Sequence, residues 1–294
     1  MTTRKVIITS TNAKLINRFG SQCLVLNVSE LTTQTRKSQL HVYTKNASDL
    51  ESYLPFIQIG QTLTIPNEQS VNGIIKIIQK YDDNFQIDEK GNSLRIKAIS
   101  NAILALKYSK IESITDSYLK HLAEWPFTSG RTLYSLTKIG ASHKSTNHHF
   151  RPGGLIDHME EMTSFQSVIQ DTFSVDHELA TVVAIWHDLG KTKITSTEDP
   201  TKCIAPPDQS CGHDSWTSHL LGFATSEYPH DIEVETSSTY RTLQSVLGNI
   251  HNPTIYNKMK TFVQKSDGRS VEFDKQIQDE IKSKQLDTMR ENNG

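Results

Sequence analysis

His187 and Asp188 stand side by side at the end of the apolar run ATVVAIWHDLGK. Imidazole and carboxylate are ligand types that suit Mn²⁺, Fe, Ni or Zn. Two neighbours at the end of a rigid helix can hold an ion only if other segments bring further ligands. The chain offers them: His158 upstream, His213, His219 and His251 downstream, then Asp267, with most of its 12 histidines falling between His143 and His251. Any one of these has an ordinary reading. A lone histidine on an apolar helix is more often a core or surface residue than a ligand, and Asp267 in Ser-Asp-Gly could be a turn former. His177 and His230 are left at that reading. The joint pattern points to a metal site, because every helix from residue 154 onward places a polar ligand near an end or a break.

These residues need elements to position them. PGGLIDHMEEM reads as a helix start, with Leu155, Met159 and Met162 facing a core and His158 beside that face. Its two glycines permit a close backbone approach where the helix begins. The helix ELATVVAIWHDLGK is apolar for most of its length, so a buried polar pair at its end needs partners. Gly190 breaks it, leaving Lys191 able to reach outward as a clamp on a phosphate oxygen. His213 opens a further helix, and His219, six residues on, points about 120° away around it. One of the two is expected as a ligand, and which one stays open. The spacing predicts helices at about 101–125, 128–140, 154–172, 176–189, 213–226, 236–250 and 254–265. The Pro-rich segment STEDPTKCIAPPDQSCG, at 196–212, interrupts them as a loop overhanging the pair.

The front of the chain has a different texture. CLVLNVSEL, SQLHVYTK, QTLTIP, GIIKIIQKY and NSLRIKAI read as short strands separated by turn residues. About five such strands suit a small closed barrel of the OB kind, with ASDLESYLPF as a crossing element. The expected class is therefore α+β: an OB-like β domain over 1–100, a helical linker over 101–140, an all-α bundle over 141–275 and a polar tail over 276–294. Charge divides along the same line. Residues 1–150 carry 18 Lys/Arg against 11 Asp/Glu, and the rest 13 against 22, so a net −2 conceals a basic front suited to a polyanion. No apolar run is long enough to span a bilayer, and the first residues do not read as a signal peptide. Cys23, Cys203 and Cys211 form no CxxC pair, which argues against a disulfide framework or a zinc finger. The chain reads as cytoplasmic, and a homo-oligomer is left open.

The order His … His-Asp … Asp resembles the HD superfamily of metal-dependent phosphohydrolases and phosphodiesterases, and HDLGK at 187–191 is similar to its local form. HHFRPGGLIDHMEEM at 148–162 resembles the corresponding segment of HD-domain 3′→5′ exoribonucleases that carry an OB-fold ahead of the HD module, the YhaM-like family. A similar segment occurs in HD-containing relaxases. The resemblance implies an HD bundle in which His158, His187, Asp188 and Asp267 are the basic metal ligands. Asp188 would bridge two ions, and His213 and His251 would complete a dinuclear site. His148, His149 and Arg151 would line the substrate cleft, and Lys191 would contact the scissile phosphate.

The expected activity rests on the same resemblance. Two divalent ions, Mn²⁺ first and Fe, Ni, Co or Mg as alternatives, would activate a water for attack on phosphorus. The substrate would be single-stranded RNA or DNA, degraded 3′→5′, stacking on aromatics such as Tyr43, Tyr53 or Phe56. One alternative is an HD-type phosphohydrolase acting on small nucleotides. Another is a relaxase-like or non-catalytic nucleic-acid-binding protein.

Overall fold

The structure, a computed structural model, describes residues 3–11, 14–18, 21–31, 37–44, 57–66, 74–78, 86–87, 93–142, 148–169, 175–199, 202, 204, 212–229, 238–251 and 257–291. The protein is α+β and divides into two compact units. The first is Met1–Tyr108 with Glu124–Thr137; the second is Ser109–Ala123 with Lys138–Gly294.

The first unit holds one sheet of strands β1 (Thr3–Ile8), β2 (Lys14–Arg18), β3 (Ser21–Glu30), β4 (Lys37–Thr44), β5 (Thr62–Pro66), β6 (Ile74–Ile78) and β7 (Gln86–Ile87). Their order is β6-β4-β3-β1-β5-β7, with β2 paired to the first half of β3. All pairings are antiparallel except β4 with β6, where Leu40 faces Ile75 and Val42 faces Ile77. β1, β3 and β4 are successive antiparallel neighbours, and β5 returns by a longer connection to lie beside β1. The order β5-β1-β3-β4 is similar to that of a Greek key, with β2 inserted between its first two strands. Register follows from alternation: Val6 and Ile8, Leu24, Leu26 and Val28, Leu40 and Val42, and Leu63 and Ile65 form one buried cluster. Residues two apart on a strand share a face, and fully burying each such side chain contributes about 1.5–3 kcal/mol.

Four of the five expected strand runs are strands. The fifth, NSLRIKAI, instead opens helix α1 (Ser93–Leu106). Ile96, Ile99, Ile103 and Leu106 are buried at spacings of three to four, the period of one helical face. The Arg-Ile-Lys alternation inside that longer pattern imitated a strand. The crossing segment ASDLESYLPF, with Tyr53 and Phe56, lies outside the described residues. A turn of π-helix (Lys107–Ile111) follows α1, then α2 (Ser117–Thr128) and α3 (Gly130–Lys138). The stretch 101–140, expected as a helical linker, is helical over most of its length. It is shared between the two units, and Ile103, Leu106, Leu119, Leu122, Leu133 and Leu136 are all buried.

The second unit is built from helices: α4 (Gly154–Ile169), α5 (His177–Trp186), α6 (Lys191–Ile194), α7 (His213–Ser226), α8 (Ser238–Leu247) and α9 (Lys258–Glu291). Leu155, Met159 and Met162 of α4 are fully buried, as their spacing requires. The largest departure from expectation is at the C-terminus. The helix expected to end near 265 runs on as one 34-residue helix through the polar segment after Lys275, which the sequence left as a frayed helix or a tail. Beyond Gly268 the chain has no glycine or proline before its last residues and is rich in Lys, Glu and Gln, which favour helix. Gly268 itself meets nothing within 4 Å, so the Ser-Asp-Gly segment continues as helix at the modest cost of one glycine. Among the described residues no helix is long and apolar enough to cross a membrane. Cys23 is a buried thiol in no disulfide among the described residues, and Cys203 and Cys211 lie outside them.

Candidate metal centre

Helix α5 starts with Asp176, whose Oδ1 accepts the Leu179 N–H at 3.0 Å, a side-chain N-cap. Its apolar body from Ala180 to Trp186 is buried, and Trp186 Nε1 donates to Leu122 O at 2.9 Å. The helix therefore delivers His187 and Asp188 into the interior, where they are 2% and 3% exposed. Gly190 follows in a turn. A Cβ there would lie 1.9 Å from His213 O, so only glycine lets the start of α7 come so close. The Gly190 N–H donates to Thr217 Oγ1, and Thr217 Oγ1 donates to His213 O. This contact brings His213 to Asp188.

The loop ahead of α4 is held as tightly. Gly153 has φ of 74°, in the left-handed region. A Cβ on Gly154 would lie 2.1 Å from His149 O. His149 itself takes a φ of 50°, uncommon for a side-chain-bearing residue. Its backbone N–H donates to Asp274 Oδ2 at 2.8 Å, and Arg151 Nη1 donates to the other oxygen of the same carboxylate. Helix α9 presents Asp267, Ser270 and Asp274 at spacings of three and four, so they share one face. Ser270 and Asp274 are fully buried.

Three groups of these side chains are close enough to hold a metal ion: His148, His149 and His158; His158, His187 and Asp188; and Asp188, His213 and His251. Asp267 joins the second through His158, with Oδ1 to Nε2 at 3.2 Å. Asp188 belongs to two groups and turns a different oxygen to each. Its Oδ2 lies 3.5 Å from His187 Nε2, and its Oδ1 lies 3.2 Å from His213 Nε2. Ligands about 2.0–2.2 Å from a shared cation are separated by roughly this much. Four buried atoms here have no hydrogen-bond partner among the described residues: His158 Nε2, His187 Nε2, Asp188 Oδ1 and His213 Nε2. All four are potential ligand atoms on converging side chains. Left unpaired, each such atom costs about 1–3 kcal/mol. A divalent cation would satisfy them together, so this donor set fits one.

The far sides of the rings are engaged. His187 Nδ1 lies 2.8 Å from Ala184 O, His158 Nδ1 lies 2.9 Å from Ser270 Oγ, and His251 Nδ1 lies 2.7 Å from Asp214 Oδ1. Ser270 Oγ in turn donates to Glu161 Oε2 at 2.7 Å. A carbonyl, an ionised carboxylate, or a hydroxyl already donating elsewhere, can only accept from Nδ1. Each of these three rings therefore carries its proton on Nδ1 and its lone pair on Nε2, which is how metal-binding histidines are commonly oriented.

Electrostatics favours the neutral form of His187. Burial pushes His187 down to about 4, against the pull of Asp188. Burial, followed by the charges of His158 and His149, pushes His148 to about 4 as well. Burial works against ionising Asp188, but Lys191, then His187 and His213, outweigh it and hold the carboxyl well below its usual range. Burial works against ionising Asp267 as well, but the facing His158 ring and then His187 outweigh it and lower the carboxyl. Burial would lower His251, yet its bond to Asp214 raises it. At neutral pH this leaves His187 and His148 as neutral imidazoles and Asp188 and Asp267 as ionised carboxylates, the forms that bind cations.

The expected site residues fall into three sets. His158, His187, Asp188, His213, His251 and Asp267 are brought together. His219 is not: it is exposed on α7 and stacks edge-on with Trp216 and Phe223. The remaining residues differ from expectation in placement. His149 is fully buried with Nε2 on Glu161, so it does not line an open cleft. Arg151 is tied to Asp157 and Asp274. Lys191 does not reach outward; its Nζ donates to Asp188 Oδ2 and to Ala141 O. Asp214, Glu161, Ser270 and Asp274 escaped sequence reasoning. Asp214 is signalled only as a second His-Asp pair, and the α9 residues only by a helical spacing that Gly268 obscured. Compared with known protein families, curated proteins and solved structures, the chain matches none.

Proposed function

We propose that this protein is a metal-dependent phosphodiesterase of the HD type, acting as a 3′→5′ exonuclease on single-stranded RNA or DNA. The observation that carries the reading is Asp188, which turns one oxygen to each of two histidine groups. A carboxylate so placed suits a bridge between two ions, with His158, His187 and Asp267 holding one and His213 and His251 the other. Mn²⁺ is the preferred ion, since mixed imidazole and carboxylate donors suit it.

Bound divalent ions lower the pKa of water and offset charge on a transferring phosphoryl group. The chain's own residues orient and balance. Asp188 and Asp267 supply the negative charge that holds the cations. Ala184, Ser270 and Asp214 keep the Nε2 lone pairs directed inward. Lys191 commits donors to Asp188 and Ala141, and an ammonium has three, which leaves one it could offer a phosphate oxygen. In the first unit, the Greek-key-like sheet and the excess of Lys/Arg over the front half support an OB-type, nucleic-acid-binding reading.

The test is to incubate purified protein and Mn²⁺ with 5′-labelled single-stranded RNA and DNA, beside a panel of free nucleotides. A ladder shortening from the 3′ end, abolished by chelation, is expected. Hydrolysis of the nucleotides alone would refute the nuclease reading in favour of a small-nucleotide phosphohydrolase.

A further inference from the structure

We infer that His148 is an additional metal ligand of the cluster, presented by Glu161 through His149, and not a residue that merely borders the substrate. The inference rests on the metal-dependent reading of the site and extends it to a residue outside the two groups that share Asp188.

Glu161 is the root of two hydrogen-bonded branches. An ionised carboxylate can only accept. Its Oε2 takes the Ser270 hydroxyl proton, and Ser270 Oγ accepts from His158 Nδ1. The same Oε2 lies 3.0 Å from His149 Nε2, which must therefore be the protonated nitrogen. His149 Nδ1 is then left with a lone pair. His148 Nδ1 stands 3.2 Å from it and is the only one of the two that can carry the proton between them. His148 consequently bears its remaining lone pair on Nε2, as His158 does.

The two branches end at the same place. The His148 and His158 rings have centroids 5.4 Å apart, and His149 packs against both, at 5.4 Å and 5.1 Å. A potential ligand atom of each ring lies within 4.8 Å of the others. His158 Nε2 is also 3.2 Å from Asp267 Oδ1, so an ion held by those two would sit at the ring that packs against His148. The strained backbone of His149 and the buried Asp274 carboxylate that accepts its N–H hold this loop in place. An arrangement of this kind is costly for a loop that only borders a substrate. It suits one that aims an imidazole. Glu161 and His149 are positioning residues here, and His148 is the ligand.

The experiment titrates the full-length protein with Co²⁺ against a competing chelator, reading visible d–d absorption, with no substrate present. Wild type is expected to bind Co²⁺ with a spectrum typical of nitrogen and oxygen donors. His148→Gln and His148→Ala should each weaken the tighter site by about 10–100-fold, the range seen even for outer partners of ligands, and should shift the absorption. Free imidazole should restore the spectrum of His148→Ala. Glu161→Gln should weaken the same site, and its effect should be less than additive with His148→Gln, because both act through one chain. Circular dichroism of each variant shows whether the fold is retained. Unchanged Co²⁺ affinity and spectrum in both folded His148 variants would overturn the inference while leaving the metal-site reading intact. No Co²⁺ binding by wild type would overturn both.

Discussion

Asp188→Asn is the most searching perturbation, because it alters charge at nearly constant volume in a residue that is 3% exposed. Without metal its effects oppose one another. The Lys191 ammonium, whose side chain is 16% exposed, loses an ionised partner and keeps the Ala141 carbonyl. That costs about 1–3 kcal/mol, at the low end because water still reaches it. Against this, the new amide can donate to His187 Nε2 or His213 Nε2, neither of which has a hydrogen-bond partner among the described residues. One such bond returns about 0.5–1.5 kcal/mol. The metal-free variant should therefore melt within a few degrees of wild type. With metal the balance is one-sided. At a free Mn²⁺ concentration of 100 times Kd, wild type gains about 2.7 kcal/mol. For a domain of roughly 150–250 residues that is about 5–10 °C in melting temperature. Asn is a neutral, weaker ligand for both groups at once, so this gain should collapse. The assay is differential scanning fluorimetry with EDTA and with increasing Mn²⁺, supported by elemental analysis. If Asp188→Asn keeps the full Mn²⁺-dependent rise, the bridging role is wrong.

Three further outcomes are expected. Asp214→Asn should weaken one Mn²⁺ of two by about 10–100-fold, since Asp214 fixes the His251 tautomer at 2.7 Å; equal weakening of both ions in a calorimetric titration would contradict the assignment. Gly190→Ala places a Cβ 1.9 Å from the His213 carbonyl, although φ of −58° suits alanine. Overpacking of about 1–3 kcal/mol should exceed the helical gain, and a melting temperature equal to or above wild type would show that the contact yields freely. His187 falls from 6.5 to about 4 on folding, so its contribution to stability is complete above pH 6.5 and is lost as pH drops toward 4. The loss approaches about 3 kcal/mol. Urea midpoints in EDTA at pH 7 and 4.5 test this: His187→Asn should reduce the difference, with His148 left to supply the remainder, and an undiminished drop in that variant would assign the loss elsewhere.

Periodicity alone was enough for much of the architecture. The two-residue alternation of β3 to β5 and the buried faces of α4, α5 and α7 are local patterns, and they survive because burying an apolar face dominates the energetics of an element. Where two periods overlapped, as at Arg95-Ile96-Lys97, the longer one prevailed because Ile99, Ile103 and Leu106 extend it. Gly268 misled for the opposite reason: a glycine in a solvent-facing helical position costs only about 1 kcal/mol, too little to end a helix that Phe262, Val263 and Ser266 anchor on one side and Ser270 and Asp274 on the other.

The ligand types are a property of the sequence. His158, His187, Asp188 and Asp267 could be nominated from residue chemistry, order and neighbours. Residue chemistry alone left His213 and His219 both open, and only the family resemblance favoured His213. The choice depends on Gly190 admitting the His213 carbonyl at a distance no Cβ allows. The orienting residues are further out of reach: Glu161, Ser270 and Asp274 meet His149, His158 and Arg151 across 109 to 125 positions in several cases. Nor does the chain say that Lys191 turns back to Asp188, since an exposed lysine and one neutralising a buried carboxylate read alike in sequence. Residue identity determines which atoms can bind a cation. Only the packing of α4, α5, α7 and α9 decides which lone pairs converge, because convergence is set by distances between segments that are remote along the chain.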